Sequence, residues 1–399
     1  MLYLNFYFQV HQPFRLSHFS TLDIGKGRAY FNDDLNKFVM NKVADKCYIP
    51  TNKLLLNLIK KYQGEFRVAF SITGVCIEQF RQYRPDVLDS FKALADTGCV
   101  EFLGETYYHS LACLYNTNEF IEQVDLHKEL MQKEFSYTPE TFRNTELIYQ
   151  NNLSELVYEM EGFKTIITEG VDRILGWRSP LFAYKNYMSE ITLLLKYYQL
   201  SDDIAFRFSN RDWPDYPLTV DKFVKWIEHF NLDPKNSPHK NKFLNLFMDY
   251  ETFGEHQWAE TGIFDFMQHL PELVLQNKHL GFITPKEAYQ LANYQQEPLS
   301  FPDPVSWADA ERDLSAWREN EMQYNALETY YELLEKVKIS GRDDLLLLMR
   351  YLSTSDHFYY MCTKYFQDGD VHKYFSPYDS PDQAYIYYIN VLADIEERL

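Results

Sequence analysis

Residues 243–257, FLNLFMDYETFGEHQ, run from an apolar, β-prone segment straight into Asp249, Glu251, Glu255 and His256. Side chains alternate along an extended segment, so Asp249 and Glu251 share a face. The stretch reads as a strand that ends in a cluster of ionisable groups. In a parallel barrel the strands all run out into loops at one mouth, where chemistry collects. Companion runs stand at LYLNFYFQV (2–10), EFRVAFSIT (65–73), CVEFL (99–103), TFRNT (141–145), FKTIIT (163–168) and IAFRFS (204–209). Helix-like segments separate most of them: TNKLLLNLIKKYQ (51–63), EQFRQYRPDVLDSFKALADT (78–97), NTNEFIEQVDLHKELMQKEF (116–135), SELVYEMEG (154–162), SEITLLLKYYQL (189–200) and TVDKFVKWIEHFN (219–231).

Strand alternating with helix predicts a parallel sheet. Seven such runs and no GxGxxG after the first of them predict an α/β fold built on a (β/α)7 barrel, an incomplete TIM-like barrel, rather than an open doubly wound sheet. The lone GKG at 25–27 lacks the spacing of a phosphate loop, and LGFIT (280–284) is ambiguous as an eighth strand. After Pro302 the pattern changes to ENEMQYNALETYYELLEKVK, DDLLLLMRYLSTSDHF and DQAYIYYINVLADIEERL, helical periodicity without intervening strands. The expected division is a catalytic barrel over 1–300 and an all-helical C-terminal domain over 301–399 that contributes to the cleft.

The chain has 39 Lys and Arg against 58 Asp and Glu in 399 residues, a formal charge of −19. Such a charge repels phosphate backbones and anionic lipid, which argues against a nucleic-acid or membrane-surface partner. MLYLNFYFQV (1–10) carries no basic leader and reads as a mature strand, and no stretch approaches the roughly 18 apolar residues of a membrane span. Five widely spaced cysteines without a CxxC pair, and eleven histidines without HxH, HxxxH or HExxH spacing, predict buried thiols in a reducing cytoplasm and no local metal site. Aromatic residues make up 17% of the chain. Most belong in a core, and the remainder suit a surface on which sugars stack.

The strand ends carry His11 and Gln12, Glu101 and Glu105, Arg143 and Glu146, Glu169 and Asp172, Arg207, and Asp249 with Glu251. Such a mouth is acidic and suits a neutral polyhydroxy substrate handled by paired carboxylates. Each residue taken singly has a plainer use: Asp249 as a cap or ion-pair partner, Glu146 as decoration of a helix start, His11 as a structural histidine, Arg143, Arg207 and Glu101 as salt-bridge partners. Their clustering favours chemistry.

Five blocks, HQPF (11–14), GCVEFLGE (98–105), FRNTELIY (142–149), MDYETFGEH (248–256) and SFPDPVSWADAERDLSAW (300–317), together resemble glycoside hydrolase family 57, in particular its short α-amylase-like members. The resemblance implies a (β/α)7 barrel with C-terminal helices, in agreement with the strand count. It also implies Glu146 as nucleophile and Asp249 as general acid/base of a retaining reaction on α-1,4-glucans, with no cofactor. Arg143 would keep Glu146 ionised, and the charge of Glu251 would raise the pKa of Asp249. His11 and Glu101 match positions around the sugar to be cleaved, joined here as substrate-binding residues by Gln12, Arg143, Arg207, Glu251 and His256. Trp307 would be a stacking platform and Asp309 a further contact. A tryptophan common before the family's nucleophile is replaced by Arg-Asn-Thr, which bears on substrate preference. A 4-α-glucanotransferase or branching enzyme is the near alternative. A metal-dependent deacetylase or α-mannosidase-like hydrolase and a non-catalytic glucan-binding protein are the distant ones.

Overall fold

The computed structural model describes residues 1–232, 241–292, 296–364 and 376–399. Its ten strands are β1 Leu2–Val10, β2 Val68–Ile72, β3 Val100–Phe102, β4 Thr141–Arg143, β5 Thr165–Glu169, β6 Tyr184–Asn186, β7 Thr192–Lys196, β8 Lys242–Asp249, β9 Leu280–Phe282 and β10 Glu297–Leu299. Seven of them close a parallel barrel in the order β1-β2-β3-β4-β5-β7-β8 and back to β1. The β3–β4 seam is closed just past β3, where Gly104 N–H donates to Thr141 O (2.9 Å) and Arg143 N–H to Gly104 O (2.8 Å). β1, β2 and β7 are buried almost throughout, which is why they read as near-continuous apolar runs. LGFIT does form a strand: β9 pairs with the start of β1, at Leu2 to Leu4, below the point where β2 takes over that edge.

Two sequence readings are corrected. SEITLLLKYYQL is not a helix throughout, because Thr192–Lys196 is the barrel strand β7, with a helix only from Tyr198 to Asp202. A short apolar run buried on both faces has no period to separate it from a helix. IAFRFS (204–209) is not a strand. Asp203–Arg207 continues the preceding helix as a π-turn, with Arg207 Nε bonded to Asp203 four residues back. The sixth of the seven barrel strands therefore exists, about a dozen residues upstream of its expected place.

Inside the barrel Tyr7, Ala69, Leu103, Leu147, Ile167 and Phe247 form a plug, and Trp307 packs against it. The C-terminal helices Glu321–Ser340, Asp343–Leu352, Ser355–Tyr359 and Pro381–Glu397 agree with the periodicity read after Pro302. Their core takes in Leu16, Phe19, Tyr30, Leu111 and Ile148 from barrel loops, so the helices are packed onto the barrel. Ser355 N–H donates to His109 O (2.9 Å), which places the short helix Ser355–Tyr359 over the mouth.

The turn after β8 depends on a glycine. Gly254 has φ +113°, and a Cβ there would lie 1.9 Å from Lys46 O, whereas at Gly262 (φ +85°) a Cβ meets nothing within 4 Å. Gly262→Ala is expected to cost about 1 kcal/mol from backbone strain alone, and Gly254→Ala at least about 3 kcal/mol because the Lys46 backbone must also move. Urea unfolding of the two variants checks this, and equal losses would show that the Lys46 segment yields freely.

Candidate active site

β4 ends at Arg143, and the chain then turns sharply through Thr145–Leu147, with Glu146 at φ 58° and Leu147 at φ 53°. Left-handed conformation at two successive side-chain-bearing residues is costly and persists only where the surroundings impose it. Leu147 is driven into the barrel plug, and Glu146 is left facing the mouth. Trp307 Nε1 donates to Glu146 Oε2 (2.8 Å), Ser355 Oγ donates to Oε1 (2.8 Å), and His109 Nε2 lies 3.4 Å from Oε1. Burial by itself raises the Glu146 pKa, but the hydrogen bond and charge of His109, with the charge of Arg143, outweigh it and hold the carboxyl below its ordinary value. Glu146 is therefore an anion at neutral pH.

Asp249 closes β8, in register with Gln9 of β1. Burial, and next the negative charge of Glu146, push its pKa up to about 6, against the pull of Arg143, Lys196 and His109. The charge of Glu251, expected from the sequence to do this, is not among the causes. Glu251 is itself pushed up to about 8 by burial and by Asp249, so it keeps its proton at neutral pH, with Tyr48 Oη and Gln12 Nε2 (3.2 Å) donating to its Oε1. Two carboxyl groups of the same mouth thus have opposite tendencies, the arrangement that assigns acid and base roles.

Beneath them lies a charged base. Arg143 is fully buried and its guanidinium makes no hydrogen bond among the described residues; it sits 3.9 Å from Glu105 and 4.9 Å from the centre of the Trp307 ring. Lys196, at the end of β7, approaches the same ring at 5.3 Å and Glu169 at 3.4 Å. An unbonded buried cation is expensive unless opposite charge surrounds it, and the carboxylates of the mouth supply that charge. Glu105, bonded by Ser71 and His109, is held at about 2 because His109 and Arg143 overcome burial. His109 stays protonated to about 9, since its bonds to Glu105 and Glu146 overcome burial. His11 stacks on His109 (centroids 4.1 Å apart), bonds Asp356 (2.9 Å) and Thr73 (2.8 Å), and is lowered by burial and by the neighbouring imidazolium. The pair therefore divides into one charged and one neutral ring.

A cavity of about 740 Å³ brings together Glu146, Asp249, His11, Gln12, Arg207, Glu251, His256, Trp307 and Asp309. Arg207 reaches it from the helical turn rather than a strand end, and pairs with Asp203. Burial holds His256 neutral, with a pKa of about 4. Asp309 lies 3.6 Å from Lys364. Trp307, expected as a stacking platform, spends its indole N–H on Glu146 and its ring on two cations. Glu101, like the fully buried Arg143 that was also expected to bind substrate, does not line the cavity. It is level with Tyr7 in the strand register, deeper in the barrel, and accepts from Thr141 Oγ1 (2.6 Å) and Lys286 N–H (2.8 Å). Glu105, two pleats further on, has its expected place. Ser355, Asp356, His109 and Lys196 were not singled out from the sequence. Lys196 was hidden by reading β7 as helix, and the serine and aspartate lie in a segment legible only as helical. Among the described residues no three His, Cys, Asp or Glu side chains are grouped to hold a metal ion.

The coupling of the two carboxyl groups has a direct readout. Asp249 is expected to titrate near 6 in a carbon-13 NMR titration, and in Glu146→Gln, where the neighbouring negative charge is gone, its midpoint should move toward the ordinary range near 4. An unmoved midpoint would show that burial alone sets it.

Residues 5–302 match the family model of Glycosyl hydrolase family 57. A Methanocaldococcus jannaschii protein that carries a provisional alpha-amylase name is 42% identical over 408 aligned residues, covering 98% of this chain and 84% of its own. Among solved structures, a branching enzyme of this family from Thermococcus kodakaraensis, crystallised with glucose, superposes with a TM-score of 0.69 at 14% identity, over 90% of this chain and 85% of its own. The alpha-amylase AmyC of Thermotoga maritima superposes with a TM-score of 0.66 at 11% identity, over 99% and 93%. The (β/α)7 barrel and C-terminal helices agree with these structures, and with the family model matching more than half of its length, the chain belongs to Glycosyl hydrolase family 57.

Proposed function

We propose that this protein is a retaining α-glucan hydrolase that cleaves α-1,4 bonds of starch, glycogen or malto-oligosaccharides. The observation that carries the reading is the pairing of Glu146, held anionic by His109 and Arg143, with Asp249, raised to about 6 in part by that same anion. Glu146 attacks the anomeric carbon while the protonated Asp249 donates its proton to the departing glycosidic oxygen. The ester to Glu146 is then broken by water, whose proton returns to Asp249, and the sugar leaves with its starting anomeric configuration. The α-glucan specificity is supported by the family and by the alpha-amylase name of the relative from M. jannaschii. Residues 301–399 would complete the cleft, a role supported by Ser355 on Glu146 and Asp356 on His11.

Hydrolysis of maltoheptaose followed by proton NMR from the first turnover tests the proposal. The first products are expected as α-anomers with growth in reducing ends. Glu146→Gln should abolish turnover, and Asp249→Asn should lower it by about 10²–10⁴-fold. First products as β-anomers would overturn the retaining mechanism, and redistributed chain lengths without new reducing ends would make the enzyme a transferase. Trp307→Phe keeps an aromatic ring, though a smaller one, but removes the donor to Glu146. It should lower kcat by about 10- to 100-fold, the worth of a hydrogen bond to a charged group. An unchanged kcat would reduce Trp307 to a packing role.

A further inference from the structure

A second groove, of about 450 Å³, opens on the other side of the segment that walls the reacting cavity. Gln12, Pro13 and Arg15 line the cavity, while Phe14, between them, turns into the groove. We propose that this groove is a second, non-catalytic glucan-binding site. The proposal rests on the α-glucan reading above.

The groove's wall and its rim both point to a sugar. Phe14 meets Tyr351 edge-on (5.0 Å, 71°), and Phe31 meets the same ring (5.7 Å, 79°), so three aromatic side chains from the barrel loops and the helix Asp343–Leu352 region form a fixed apolar wall, with Tyr83 beside it. Aromatic faces suit the C–H face of a pyranose. At the floor Asn36, 1% exposed, accepts from Arg15 N–H (2.9 Å) through Oδ1 and so fixes the segment that separates groove from cavity. Around the rim, Asp33 accepts from Gln82 Nε2 (3.0 Å) and Tyr83 Oη. Its second oxygen and the Gln82 carbonyl remain as acceptors for sugar hydroxyls. The two arginines of the rim are already engaged, Arg28 with Asp23 (3.0 Å) and Arg398 with Tyr30 Oη (2.8 Å). With the net charge of −19, they do not make an anion site. A polymer held here remains beside the reacting mouth, which raises its effective concentration there.

The test separates this site from the catalytic one. The inactive Glu146→Gln chain, titrated with maltoheptaose by calorimetry, is expected to bind at two sites per chain. Adding Ala29→Trp, which fills the groove from an exposed loop position, should leave one. Adding Tyr83→Ala should weaken that same site about tenfold. In the active enzyme Ala29→Trp should raise KM for amylose about fivefold and leave kcat and KM on maltotriose unchanged. A single site in Glu146→Gln, two sites unaffected by Ala29→Trp, or displacement of the second maltoheptaose by inorganic phosphate would each overturn the groove proposal while leaving the catalytic reading intact. Absence of any maltoheptaose binding would overturn the α-glucan reading, and the groove site with it.

Discussion

The Glu146 carboxylate is the constraint on which the rest of the site depends. Its backbone adopts a conformation that a side-chain-bearing residue avoids, and its two oxygens are held by Trp307, Ser355 and His109, three groups far apart in the chain. The strain is sustained because Leu147 is committed to the barrel plug and the backbone N–H of Trp307 holds the Glu146 carbonyl (3.2 Å). A site held in this way is preorganised, since the donors are in place before a substrate arrives.

From that anion the electrostatics follow. Burial and the negative charge of Glu146 raise Asp249 to about 6, Glu146 together with Glu105 keeps a proton on His109, and burial with that imidazolium lowers His11. Arg143, whose guanidinium makes no hydrogen bond among the described residues and is surrounded by carboxylates, acts on all of them through its field rather than through one partner. Buried charges in low dielectric interact over several ångströms. Asp249 and Glu251 both take protons more readily than an ordinary carboxyl, yet only Asp249 owes this to Glu146, and Glu251 shares its oxygen with Tyr48 and Gln12.

The barrel was readable because buried parallel strands announce themselves as apolar runs, and Asp249 was readable because it ends one. The same rule failed at β7. Thr192–Lys196 has no alternation to distinguish it from a helix, while IAFRFS alternates by chance and folds as a helical turn. That error concealed Lys196, and it also put Arg207 on a strand it does not occupy. Glu101 and Glu105 are four residues apart on one strand and its extension, so sequence periodicity places both toward the interior. Which of them stands at the mouth depends on how far β3 has risen relative to β1, and the register puts Glu101 level with Tyr7.

The sequence by itself determined the class of fold, the helical nature of the C-terminal region and the two carboxyl groups at strand ends, because periodicity and strand-end position are local properties. Only the tertiary structure decided that Ser355 and Asp356 reach the mouth, that His11 lies on His109, and that Trp307 turns its indole N–H to Glu146. Those are contacts between residues up to 345 positions apart. They arise from how the helices pack onto the barrel loops, and no local pattern encodes which side chains that packing brings together.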